Sequence, residues 1–125
     1  KTKVGINGFG RIGRICTRIL IDRSDEFELC AINLRKSDIP HMAYMLKYDS
    51  ALGRFNGTIK EGKDYIEING HKVTVLSYDN PSDIPWSSAG AEYVIDADGK
   101  VLFTIRDADS PPTGTEDFFK RRLMV

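Results

Sequence analysis

A glycine pattern near the start of the chain lies between an apolar segment and an amphipathic one. Residues 8–13 read Gly-Phe-Gly-Arg-Ile-Gly and match the pattern G-x-G-x-x-G. Residues 3–7 are short and partly β-branched, which predicts a buried strand. From Arg11 apolar residues recur at helical spacing, which predicts a helix ending near residues 22–24. The apolar positions of this helix are Ile12, Ile15, Cys16, Ile19 and Leu20.

A second apolar segment, residues 27–33, follows the helix and predicts another strand. Two strands joined by a helix over so short a stretch form a βαβ unit, which requires parallel pairing and a right-handed connection. The fold class is therefore α/β.

The next segment predicts a second helix, which stops by residues 48–50. Ser37 or Asp38 is placed to cap it, and Pro40 lies in its first turn. Its apolar positions have the spacing of a core-facing stripe, and we expect Met45 beside that stripe to pack into the core as well. The stripe consists of Ile39, Met42, Ala43 and Leu46.

Two hairpins interrupt the parallel pattern. Residues 65–68 and 72–76 alternate in polarity around Asn69-Gly70, a pair that accepts the positive φ angles of a type I′ turn. Residues 80–86 predict a loop or short helical turn, and residues 93–96 an apolar strand. A second hairpin is expected between residues 93–96 and 100–105, around Asp98-Gly99.

The last residues are less regular. We expect a flexible loop at residues 110–114, a helical turn at residues 116–121 and a strand at residues 123–125.

Composition limits the function classes. The 125 residues carry 18 Lys and Arg against 18 Asp and Glu, so no net charge attracts nucleic acid or an anionic membrane over long range. The first 23 residues are locally basic, which leaves RNA binding by the first helix as a minor alternative without a recognisable RNA-binding signature. Neither an apolar run of membrane-spanning length nor a signal peptide is seen, so a cytoplasmic location and no membrane partner are expected.

Four side chains of types common in active sites lack a catalytic context. Cys16 and Cys30 lie on apolar segments and are predicted to be buried thiols. His41 and His71 have no neighbouring acid or cysteine constellation, so surface positions are expected. We predict no catalytic residue and no metal site in this chain.

The glycine pattern has a specific chemistry in its strand-turn-helix setting. Gly8 permits a tight turn, Gly10 lets a pyrophosphate approach the backbone, and Gly13 lets the helix approach the strand. Amide groups of the first helical turn would face the anion. Arg11 and Arg14 oppose the helix dipole there, which an anion nearby would explain. The pattern therefore predicts binding of a dinucleotide, with a purely structural turn as the alternative.

Dinucleotide-binding domains with this glycine pattern also have an acid about twenty residues beyond the last glycine, where its carboxylate hydrogen-bonds the adenosine ribose. The sequence there is Asn33, Leu34, Arg35 and Lys36, and no carboxylate occurs before Asp38. Arg35 and Lys36 could accommodate a 2′-phosphate, so NADP is a candidate besides NAD. The alternative is that both are solvated loop cations and that NAD binds through Asn33 and the glycine loop.

Residues 3–14 (KVGINGFGRIGR) resemble the amino-terminal NAD(P)-binding domain of the glyceraldehyde-3-phosphate dehydrogenases. Further similar segments follow in order at residues 31–33, 45–55, 69–70 and 80–86 with 89–94. The resemblance implies a Rossmann-type doubly wound sheet, mostly parallel, with the antiparallel hairpin as an excursion. It also implies a homotetrameric, cytoplasmic enzyme that oxidises and phosphorylates glyceraldehyde 3-phosphate with NAD or NADP.

Carried over by position, the resemblance assigns cofactor-binding roles to two sets of residues. This sequence departs from the family at three places. Leu34 stands where an acid is usual, residues 97–99 read Ala-Asp-Gly in place of Ser-Thr-Gly, and residues 100–115 are altered and extended. The first set, expected around the pyrophosphate and adenosine, is Asn7, Gly8, Phe9, Gly10, Arg11 and Ile12, and the second is Asn33, expected near the adenine ribose. The predicted cofactor-binding residues also include Gly13, Leu34, Arg35 and Gly99.

The family's catalytic cysteine and histidine and its substrate-phosphate residues have no counterpart within residues 1–125. We therefore expect one dinucleotide-binding domain, residues 1–125, that belongs to a longer enzyme and meets glyceraldehyde 3-phosphate only together with another domain. The alternative is a stand-alone nucleotide-binding or interaction module without catalysis.

Overall fold

The computed structural model describes residues 1–36, 38–49, 53–96 and 101–104. They form an α/β domain with one large sheet, a small two-stranded ribbon and two helices. The elements are β1 (Thr2–Asn7), α1 (Arg11–Asp22), β2 (Phe27–Asn33), α2 (Ile39–Lys47), β3 (Tyr48–Asp49), β4 (Gly53–Arg54), β5 (Ile59–Glu61), β6 (Tyr65–Ile68), β7 (His71–Leu76), a 3₁₀ turn (Pro81–Asp83), β8 (Tyr93–Asp96) and β9 (Val101–Thr104).

The large sheet has the strand order β5-β6-β7-β2-β1-β8-β9. Its four central strands are parallel, because β1 pairs in parallel with both β2 and β8, and β2 with β7. The predicted βαβ unit is confirmed, with Asn7 of β1 beside Asn33 of β2. The strand order reverses at β1, where a doubly wound sheet opens a crevice at the carboxyl ends of its strands.

Helix α1 begins and ends where its periodicity predicts, but the face against the sheet is rotated. Gly13, Cys16, Thr17 and Leu20 are buried, whereas the three isoleucines are only partly buried at its flanks. Gly13 lies so close to the carbonyl of Gly8, just after β1, that the helix presents its small side there. A periodicity argument counts only apolar residues and therefore misses a contact made through glycine and threonine.

Helix α2 begins at Asp38, whose side chain accepts a hydrogen bond from the amide of His41 at 3.1 Å. Ser37, the other candidate cap, lies outside the described residues. Met42 and Leu46 are buried, as predicted, and Met45 packs against them from a partly buried position.

The first hairpin has the predicted turn. Asn69 and Gly70 have φ angles of 52° and 87°, as a type I′ turn requires. Strand β5 adds a third antiparallel strand beside β6, in a segment for which the sequence predicted no strand. It is three residues long with a single partly buried apolar side chain, Ile59, so its alternation is too short to detect.

The second hairpin is also present. Strands β8 and β9 pair antiparallel, with Tyr93 opposite Thr104. The predicted turn at Asp98-Gly99, the loop at 110–114, the helical turn at 116–121 and the strand at 123–125 lie outside the described residues.

The core covers both faces of the sheet. One cluster packs α1 and α2 against the sheet, and a smaller one surrounds Trp86 on the other side. Gly5 in β1 makes room for the indole ring, because a side chain at this position would collide with it. None of the helices in the described part of the chain is long and apolar enough to cross a membrane.

Candidate dinucleotide-binding site

A buried asparagine joins the carboxyl ends of three parallel strands. Asn33 ends β2 and is only 2% exposed. Its side-chain amide donates to Oδ1 of Asn7 at 3.0 Å and to the carbonyl of Tyr78 at 3.2 Å. Its Oδ1 accepts from the amide of Tyr78 at 3.0 Å. The side chain therefore fixes the loops after β1 and β7 relative to each other.

The glycine loop follows β1 directly. Gly8 has a φ of 119°, and its amide donates to the carbonyl of Asn33 at 2.8 Å. A Cβ at Gly13 would collide with the carbonyl oxygen of Gly8, so this glycine allows α1 to approach the loop. A Cβ at Gly10 would meet no atom within 4 Å among the residues that the structure describes. Packing within the protein therefore explains Gly13 and leaves Gly10 unexplained.

The amino end of α1 has the features of an anion site. Gly10 is the N-cap, so no side chain caps the first turn, and that turn contains no acid. Arg11 is exposed, while Arg14 donates from Nη1 to the carbonyl of Phe9 at 3.2 Å and braces the loop. Amide groups at such a helix end attract a negatively charged group.

A cavity of about 350 Å³ adjoins this loop. Six of the predicted site residues line it, together with three that the sequence did not indicate: Tyr78, Asp79 and Ile84. All three follow β7, the strand that is parallel to β2. That pairing was the signal available, since carboxyl ends of parallel strands meet at one edge of a sheet. The six predicted residues are Asn7, Gly8, Phe9, Asn33, Leu34 and Arg35.

The remaining predicted residues occupy other positions. Gly10, Arg11, Ile12 and Gly13 form the start of α1 and do not line the cavity. Ile12 packs against the core, so its side chain serves the fold, although its amide belongs to the first helical turn. Gly99 lies outside the described residues.

The cysteines are buried. Cys16 is 1% exposed, and burial raises the pKa of its thiol. Cys30 donates from Sγ to the carbonyl of Val4 at 3.3 Å, and burial raises its pKa to about 11. A thiol with a raised pKa is a poor nucleophile at neutral pH, because the thiolate is the reactive form.

The histidines are exposed, as predicted, at His41 and His71. Among the described residues, no group of three or more His, Cys, Asp or Glu side chains is arranged to hold a metal ion.

The raised pKa of Cys30 predicts a loss of stability in alkali. The folded protein keeps this proton while the unfolded chain releases it, so the contribution is complete below pH 9.0 and is lost as the pH rises to about 11. The free energy of unfolding should fall by about 1.4 kcal/mol per pH unit in this window from Cys30 alone. We expect the Cys30→Val variant, followed by urea unfolding over the same window, to lack this part of the decline. Parallel stability curves for the two proteins would contradict the assignment.

The parallel strands, the glycine loop at the start of a helix and the cavity beside it together define a dinucleotide-binding domain of the Rossmann type. Residues 2–104 match the family model described as "Glyceraldehyde 3-phosphate dehydrogenase, NAD binding domain". The chain therefore belongs to the glyceraldehyde-3-phosphate dehydrogenase family, as its NAD-binding domain.

Similar proteins bear the same family name. A chloroplastic glyceraldehyde-3-phosphate dehydrogenase of Arabidopsis thaliana is 52% identical over 111 residues, which cover 88% of this chain and 26% of that protein. The cytosolic enzyme of Chondrus crispus is 46% identical over 107 residues, 84% of this chain and 30% of the relative. The enzyme of Shimwellia blattae is 50% identical over 100 residues, with 80% and 30% coverage. The chain thus spans between a quarter and a third of the length of these relatives.

Proposed function

We propose that the dinucleotide lies across the carboxyl ends of the central strands, with its pyrophosphate at the amino end of α1 and its adenosine in the cavity. The observation that carries this proposal is the open space at Gly10. A glycine at an N-cap with an ordinary extended backbone, where an added Cβ would meet no atom of the described residues within 4 Å, suits a phosphate that must approach the main chain. The residues present therefore fit the group.

Each part of the proposed site has a separate task. Gly8, Phe9 and Gly10 leave room for the pyrophosphate, and the amides of Arg11, Ile12 and Gly13 supply the positive end of the helix. Asn7 and Asn33 hold the loop in place, Leu34 and Arg35 bound the adenosine ribose, and Gly99 contributes from the segment after β8. A bound dinucleotide supplies hydride transfer at its nicotinamide, and the described residues contribute binding and orientation.

We infer that residues 1–125 are one domain of a phosphorylating glyceraldehyde-3-phosphate dehydrogenase of glycolysis or gluconeogenesis. The catalytic cysteine and histidine would lie elsewhere in that protein, which would act as a cytoplasmic homotetramer. Family membership and the two deeply buried thiols support this assignment. Glyceraldehyde 3-phosphate would contact the domain only together with the catalytic part.

The direct test is NAD reduction by the full-length protein with glyceraldehyde 3-phosphate and inorganic phosphate. We expect turnover that requires both. Binding of NAD without any turnover would instead support the alternative, a nucleotide-binding module without catalysis.

We propose further that NADP is tolerated as a second cofactor. Leu34 cannot repel a 2′-phosphate, and the exposed Arg35 lies on the wall of the same cavity. Losing the repulsive carboxylate at the end of β2 and gaining a charge-assisted contact shifts relative affinity by about 1.5 to 3 kcal/mol, which relaxes the preference for NAD and need not reverse it.

Arg35→Ala should weaken NADP binding more than NAD binding, by about tenfold in the ratio of the two dissociation constants. Leu34→Asp should lower NADP affinity by repulsion while changing NAD less. Calorimetric titrations at fixed low salt measure both, because salt screens exposed phosphate contacts. Lys60→Ala, which removes an exposed cation on β5, is the matched control. An Arg35→Ala ratio equal to that of the control would show that Arg35 is a solvated loop cation.

A further inference from the structure

The cavity contains a carboxylate, although the end of β2 does not supply one. Leu34 and Arg35 occupy the position where the dinucleotide fingerprint expects an acid. Asp79, which follows β7, lines the same cavity as these two residues. Of the residues described as lining it, Asp79 is the only acid. A carboxylate is thus present at the cavity, but it belongs to a residue that follows β7 instead of β2.

Hydrogen bonds hold the segment before Asp79 beside the end of β2. The amide of Leu34 donates to the carbonyl of Leu76 at 2.9 Å, and the hydroxyl of Ser77 donates to the carbonyl of Arg35 at 3.2 Å. The backbone of Tyr78 is bonded through both its amide and its carbonyl to the Asn33 side chain. Asp79 therefore follows a residue whose peptide groups are fixed at two points. Its side chain is exposed to solvent and lies on the wall of the cavity.

We propose that Asp79 binds the adenosine ribose. Its carboxylate accepts a hydrogen bond from the 2′-hydroxyl and takes the place of the acid that is missing at the end of β2. The inference rests on the proposed placement of adenosine in this cavity. A carboxylate that accepts from a 2′-hydroxyl repels a 2′-phosphate, whereas Arg35 on the same wall attracts it. Asp79 and Arg35 therefore shift cofactor choice in opposite directions, and Asp79 keeps NAD ahead of NADP.

Three ligands test the assignment on the full-length protein: NAD, NADP and 2′-deoxy-NAD, which lacks only the hydroxyl concerned. For the unmodified protein we expect 2′-deoxy-NAD to bind about tenfold more weakly than NAD, as loss of one charge-assisted hydrogen bond implies. In Asp79→Ala the two should bind almost equally, because the acceptor is gone. The same variant should lower the NADP-to-NAD ratio of dissociation constants by about tenfold.

Asp83→Asn is the matched control, since Asp83 is an exposed acid in the 3₁₀ turn that does not line the cavity. It should leave the preference for NAD over 2′-deoxy-NAD unchanged. The double variant Leu34→Asp with Asp79→Ala moves the acid to the end of β2 and should restore that preference.

A penalty for 2′-deoxy-NAD that persists in Asp79→Ala would overturn the assignment, while NAD binding itself would remain established. Failure of the unmodified protein to bind NAD would instead refute the proposed function.

Discussion

Gly13→Ala is expected to destabilise the domain by about 3 kcal/mol, at the upper end for an overpacked core. The added Cβ would collide with the carbonyl oxygen of Gly8, a main-chain atom that cannot rotate away. Helix α1 would have to move off the sheet, which would also distort the loop between β1 and α1. Urea unfolding followed by circular dichroism measures the change.

Gly10→Ala is the matched control for this prediction, because it adds the same methyl group three residues earlier. Its Cβ would have no neighbour within 4 Å in the described part of the chain, and its φ of −76° suits any residue. Replacing an N-cap glycine by alanine costs at most about 1 kcal/mol. Equal stabilities for the two variants would show that α1 does not approach the loop as closely as described.

Gly10→Val is expected to abolish most NAD binding in a protein that remains folded. The branched side chain fills the space proposed for the pyrophosphate, and we expect affinity to fall by about 100-fold, or about 3 kcal/mol. Calorimetry with NAD measures the loss, and a thermal melt of the same sample verifies the fold. Gly10→Ala should give an intermediate loss, so the series is graded by side-chain size.

Unchanged NAD affinity in Gly10→Val would show that the pyrophosphate does not bind at this end of α1. An equal loss of affinity and of stability would mean that the valine acts through the fold rather than through the ligand.

Local chemistry made much of the fold predictable. Asn69 and Gly70 determine a type I′ turn by their own conformational preferences, and Asp38 caps α2 with its own side chain. The face of α1 was less predictable, because a glycine approaching another backbone leaves no apolar signal. Strand β5 was not predicted, because its three residues carry no clear alternation and the strand is held by its pairing with β6.

Some residues of the candidate site could also be predicted from the sequence, and others could not. The glycine loop could be read from the sequence because strand, turn and helix are contiguous, and Asn33 through Arg35 follow at a fixed distance. Tyr78 and Asp79 follow another strand, β7, and the Asn33 side chain bonds the backbone of Tyr78 and the side chain of Asn7 before the glycine loop. A rule based on spacing cannot find an acid that tertiary pairing brings to the cavity.

The central claim is that one dinucleotide extends from the amino end of α1 to the cavity beside Asn33. A crystal structure of the full-length protein with NAD tests it most directly. We expect pyrophosphate oxygens within hydrogen-bonding distance of the amides at Arg11 and Ile12, no atom of the protein between the phosphates and Gly10, and adenosine against Leu34 and Asp79. NAD bound elsewhere, or phosphates remote from Gly10, would contradict it.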